Sequence, residues 1–200
     1  YLDELLIAYL LNPLHGQTLL FLSPMGPFLF KIKIALYAAF LAAFPLWLGL
    51  VLHFVSPALS QAKRWSLILF ALASLLLGAA SLAVTYFYFV PTTLKALQGF
   101  AVAGTQSWLT AELYLSFCIL LLAVVFVVLQ IPVVMAALAY IGIFNPKVVG
   151  RYRKLSTVGI IALLAVVTPT TDIVTLGIVC VPALLLWELG LFISKGLYGK

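Results

Sequence analysis

The sequence predicts an all-α fold, a polytopic transmembrane helical bundle, and three observations lead to it. The first is composition: of 200 residues, 66% are hydrophobic and 8% charged, against about half apolar and a quarter charged in soluble domains, so hydrocarbon must take the place of water around this chain. The second is that the apolar residues fall into five separate runs, at about 31–53, 66–90, 113–143, 155–168 and 173–193, more than a leader or a single anchor would need. The third is the absence of the apolar-polar alternation of a membrane β-barrel, which leaves helices as the way to satisfy backbone amides in lipid. The whole chain, 1–200, reads as one integral-membrane domain.

The segment 1–30 carries Pro13, Gly16, Pro24, Gly26 and Pro27 among short apolar stretches and is expected to be an extracytoplasmic loop. The first span follows and ends at His53 and Phe54, where the histidine reads as a polar cap at the interface. In the second span Ala71, Ser74, Gly78 and Ser81 recur at three- or four-residue steps, a small-residue stripe suited to close helix packing. The third span holds Gln130 two residues before Pro132. An amide at that depth needs a partner, either a polar group on a partner helix or a carbonyl freed by the proline, whose ring is expected to kink the span. Both remain open from the sequence.

The fourth run, Leu155 to Val167, has thirteen residues and reaches only about 20 Å at about 1.5 Å per residue, short of a hydrocarbon core about 30 Å thick. The turn Thr168-Pro169-Thr170-Thr171-Asp172 joins it to the last span in a short hairpin, with Asp172 placed to cap that helix. Glu188 lies sixteen residues further on, about 24 Å along the helix, toward the opposite headgroups.

Charge sets the orientation. Eight of the eleven basic residues, Lys63, Arg64, Lys147, Arg151, Arg153, Lys154, Lys195 and Lys200, fall on one side, which the positive-inside rule makes cytoplasmic. Asp3, Glu4, Lys95, Glu112 and Asp172 fall on the other, with Lys31 and Lys33 near the start of the first span. The C-terminus is then cytoplasmic and residue 1 extracytoplasmic, which implies an upstream helix and six spans in the complete protein. The basic residues sit in short clusters without a base-reading motif, so a membrane, not nucleic acid, is the expected partner. No cofactor or metal is expected: Cys118 and Cys180 lie singly in apolar runs, His15 and His53 are isolated, and neither HExxH nor GxSxG occurs, so an enzyme is not expected. A small secondary transporter stays as the alternative, with Gln130, Glu188 and His53 lining a polar pathway.

The order of prolines and turns resembles the TatC family over nearly the whole chain. Phe28 to Lys33 with Pro45, then Phe54 and Pro57-Ala58-Leu59, are similar to that family's second helix and its run into the first cytoplasmic loop. Tyr86 and Pro91 match the end of its third helix, Tyr114-Leu115-Ser116-Phe117 the start of its fourth, and Gln130, Pro132, Gly142-Ile143 and Pro146 the pattern that follows. Thr168-Pro169-Thr170-Thr171-Asp172 with Pro182 and Trp187-Glu188-Leu189-Gly190 is the most specific match. The resemblance implies a non-enzymatic subunit of the twin-arginine protein translocase in the inner or plasma membrane, lacking here the family's first helix. It also implies binding of twin-arginine signal peptides at a cytoplasmic loop containing Phe54, Pro57, Leu59, Lys63 and Arg64, and assembly with TatA- and TatB-type subunits through intramembrane Gln130, Pro132 and Glu188. Three positions depart from the family's pattern: Lys63 and Gln130 stand where acidic residues are usual, and Thr171 where a second proline is usual.

Overall fold

The computed structural model describes residues 19–56, 61–99, 110–167 and 173–198, without the side chains of 61–64, 97–98, 167 and 173–175. Within these residues the fold is helical, the nearest approach to a strand being a single bridge between Leu20 and Thr110. The elements are α1 (Gly26–Ala42), α2 (Phe44–Val55), α3 (Gln61–Val84), a π-helical turn (Thr85–Phe89), α4 (Val90–Gln98), α5 (Ala111–Ile141), α6 (Pro146–Arg151), α7 (Arg153–Val167) and α8 (Ile173–Leu197). Among the described residues, four helical stretches are long and apolar enough to cross a membrane: Gly26–Val55, Trp65–Ala96, Ala111–Ile141 and Leu176–Leu197. The fifteen-residue α7 makes the short fifth element of the bundle.

Prolines explain most departures from the expected boundaries. Pro27 stands in the first turn of α1, where its missing N–H costs nothing, so the first span begins at Gly26 and takes the last residues of the expected 1–30 loop into the helix. Pro45 interrupts the same span, and Ala43 separates α1 from α2. In the second span Pro91 cannot donate to the carbonyl four residues back, and the turn just before it widens, with the Val90 N–H bonded to the Thr85 carbonyl five residues away. The helix then continues to Gln98, beyond the expected 66–90. α5 runs unbroken through Pro132 and stops at Ile141, two residues short of the expected end, because Gly142 takes φ +94° and its N–H turns back to Leu138 and Ala139.

α5 is the central element. It packs most extensively on α8, which runs parallel to it, and on its other side against the antiparallel α3, while α1 and α2 cover part of the remaining face. Tyr114, Leu121, Val125 and Val128 of α5 meet Val179 and Ala183 of α8 in the main core, where both cysteines are free and buried as packing residues. At the end nearest residue 20, the Ala111 N–H donates to the Leu20 carbonyl (3.0 Å), and Glu112 in the first turn of α5 lies close to Gly26 at the start of α1. One carboxylate thus sits near two positive helix ends. Outward-facing Leu36, Phe40, Leu76, Leu113 and Val166 are exposed and form the surface that lipid covers.

Candidate functional site

A polar seam joins α3 to α5 inside the bundle. Gln130, only 9% exposed, accepts a hydrogen bond from the Ser74 hydroxyl (2.7 Å) and donates from its amide nitrogen to the Ser74 carbonyl (3.0 Å). The partner expected on another helix is therefore a serine of the same chain, and the carbonyl freed by Pro132 is not what the amide binds. Eight residues down α3, the Ser66 hydroxyl donates to the Tyr140 hydroxyl (2.9 Å). The stripe that includes Ser74 makes this approach possible: a Cβ on Gly78 would lie 3.3 to 3.5 Å from Phe126, Phe44 and Gln130, and buried Ser81 turns its hydroxyl to the Gly78 carbonyl (2.6 Å).

Beside the seam, Phe44 and Phe126 meet edge to face with centroids 4.8 Å apart. They belong to an apolar groove of about 370 Å³ between the first span and α5, with Tyr37, Phe40, Trp47 and Leu122 in its walls. On the other side of α5, a Cβ on Gly190 would stand 3.1 Å from Pro132 Cα and 3.0 Å from Met135 Sδ, so the glycine lets α8 approach the backbone of α5 at the proline. Pro132 is buried there.

At the basic end, Glu188 does not reach into the core. Its carboxylate accepts from the Arg153 guanidinium at 2.8 Å, with both side chains about half exposed. Phe54 projects from the end of α2 with 85% of its surface exposed, and His53 beside it is also exposed. Lys63 and Arg64 lie in the first turn of α3, with side chains beyond the description. Pro57, Leu59, Thr168, Pro169 and Asp172 fall outside the described residues. The polar pathway of the transporter alternative is not assembled: Gln130 is tied to Ser74, Glu188 to Arg153, and His53 stands exposed in the last turn of α2. Among the described residues, no group of three or more His, Cys, Asp or Glu side chains is placed to hold a metal ion. What the arrangement offers is contact surface: a braced helical wall, an apolar groove and a charged rim.

The Ser66–Tyr140 pair, the Gly190 crossing and the Phe44–Phe126 contact were not foreseen in the sequence. A glycine near a membrane helix end signals only that something comes close, and the serines and aromatics carried no sign of their partners. For Arg153 and Glu188, opposite charge near the same end of two joined helices was a usable signal.

Known proteins match this chain along its length. The family model for the Sec-independent protein translocase protein (TatC) matches residues 1–182. The chain belongs to the TatC family. It is similar to the TatC of Aquifex aeolicus (strain VF5), 29% identical over 98% of this chain and 81% of that protein, and to the chloroplastic TATC of Arabidopsis thaliana, 30% identical over 95% of this chain and 56% of that protein. A crystal structure of the twin-arginine translocase receptor TatC superposes with a TM-score of 0.80, at 30% identity over 98% of this chain and 86% of the other. As a TatC family member this is a multi-pass membrane protein and a protein-translocase subunit, with the seam, the groove and the Gly190 crossing as parts of a TatC bundle.

Proposed function

We propose that this TatC family member binds twin-arginine signal peptides at the rim formed by the end of α2 and the start of α3, facing the cytoplasm, and assembles with TatA- and TatB-type subunits in the inner or plasma membrane. The observation that carries the reading is the superposition, over almost the whole chain, on a protein described as the twin-arginine translocase receptor. Exposed Phe54 supports it, since an aromatic ring held out at a basic membrane rim suits the apolar part of an incoming peptide. Gln130 and Pro132 are well buried inside the chain, so their contribution to assembly is to hold α3, α5 and α8 in place for a partner helix that lies on their lipid-facing sides.

A photo-crosslinker at position 54 tests the proposal directly. In membranes containing the complete translocase, a twin-arginine peptide should be captured from position 54 and its twin-lysine counterpart much less. Equal capture of both, or capture only from a probe at Leu113 on the opposite rim, would rule the site out.

A further inference from the structure

We propose that α6 and the neighbouring turn form a binding site for the phosphate headgroup of an anionic phospholipid in the leaflet at the basic end of the bundle. The proposal goes beyond signal-peptide recognition and does not depend on it. Lys147, Val148, Arg151 and Tyr152 line an open cleft of about 310 Å³. On a helix, positions i and i+4 lie one above the other, so the ammonium of Lys147 and the guanidinium of Arg151 share a face, and Val148 and Tyr152 share the adjoining one. A planar guanidinium suits two phosphate oxygens, and an ammonium beside it adds a point charge.

The cleft is held in place. Pro146, fully buried, anchors the start of α6, and the Asn145 side chain caps it by accepting from the Lys147 N–H (3.0 Å). A Cβ on Gly150 would stand 3.7 Å from the Lys195 Cε and Nζ, so the last turn of α8 lays a third cation against α6. Compensating acid is scarce: among the described residues the ion pair at this end is Arg153 with Glu188, which leaves Lys147, Arg151 and Lys195 without a carboxylate.

Topology explains why the residues between α5 and α7 are basic, but not why apolar side chains are exposed among them. Ile143, Val148, Tyr152 and Leu155 are each more than half exposed, in the segment where the chain leaves one membrane helix and enters the next. In water that exposure is unfavourable. At a headgroup boundary, the apolar side chains meet acyl and glycerol carbons while the cations meet phosphate. Charge complementarity with an anionic leaflet therefore selects lipid as the occupant.

The test is lipid retention. The protein, reconstituted in nanodiscs of equal phosphatidylglycerol and phosphatidylcholine, is extracted into detergent, and the lipids still bound are identified by native mass spectrometry. Phosphatidylglycerol should be retained in preference, and the preference should fall by about fivefold for each charge removed in Lys147→Gln and Arg151→Gln. Arg151→Lys should keep most of it, and Lys31→Gln with Lys33→Gln, at the other end of the bundle, should leave it unchanged. An unchanged melting temperature would show that the Gln variants remain folded, and addition of inorganic phosphate should not displace the lipid. Equal retention of the two lipids, or equal loss in the Lys31/Lys33 variant, would overturn the proposal. Binding of a Glu-rich peptide that depended on Lys147 and Arg151, without any lipid preference, would also overturn it and make the cleft a site for an acidic protein segment.

Discussion

Gln130 shows how a single polar side chain is accommodated at membrane depth. It lies eleven residues from the end of α5, about 16 Å along the helix, where no water competes for its amide. Both of its bonds go to one residue, Ser74, the second of them to a main-chain carbonyl that mutation of the serine cannot remove. Gln130→Leu should therefore destabilise the bundle by about 0.6 to 2 kcal/mol, and Ser74→Ala by less. Unfolding of the single and double variants in detergent checks this: strictly additive losses would mean that the two side chains do not act together. Under the proposed signal-peptide reading, Lys63 is a second position where one residue would set an outcome, since a lysine next to Arg64 in the sequence would repel an arginine pair. Lys63→Glu should raise crosslinking of a twin-arginine peptide over its twin-lysine control, by no more than about 1 kcal/mol in binding and more at low salt. No change at low salt would place recognition elsewhere.

Between elements, the closest approach is the crossing of α8 over α5. Gly190→Val would drive methyl groups onto the Pro132 backbone, and overpacking of this kind costs about 1 to 3 kcal/mol. Gly190→Ala should cost less, because its single methyl group meets the Met135 sulfur, which can move aside, and presses less on the Pro132 backbone, which cannot. Melting temperatures of the two variants decide it, and a neutral Gly190→Val would mean the helices lie further apart than the structure places them. The Arg153–Glu188 pair joins α7 to α8 at the rim, but with both side chains half exposed it is screened by water and salt. Arg153→Gln should lower stability by less than about 1 kcal/mol, and high salt should shrink the difference. A larger, salt-independent loss would show the pair to be buried in the membrane-embedded protein.

At the scale of the molecule, four long helices and the short α7 form a wall of uneven thickness. At fifteen residues, α7 spans about 22 Å, whereas α5, with thirty-one, exceeds the hydrocarbon core and must tilt or project. The bilayer beside α7 should be locally thin, a useful property in a protein-translocase subunit. The proposed orientation is checked by cysteine labelling: Lys95→Cys should react with an external, impermeant reagent, and Arg151→Cys only after permeabilisation. The opposite result would invert the topology.

The sequence by itself determined the class of the fold and the apolar runs that become the long helices and α7, because hydrocarbon leaves the backbone of an apolar run no partner but its own carbonyls, though it did not determine the separate α6 or the break between α1 and α2. It also determined the asymmetry of charge between the two ends, which rests on where the basic residues fall relative to the apolar runs. The order of prolines and turns further sufficed to identify the family, even with Pro57, Leu59 and the Thr168 to Asp172 turn outside the described residues. Only the tertiary structure decided which side chains meet. In water, an apolar stripe marks the face of a helix that turns inward; in lipid, the outside is as apolar as the core, and α5 is apolar all round. Nothing in the periodicity of α5 therefore distinguishes the face that meets Ser74, fifty-six residues away, from the one that meets Gly190. Those meetings depend on close packing between particular surfaces, and packing is a property of helices already assembled.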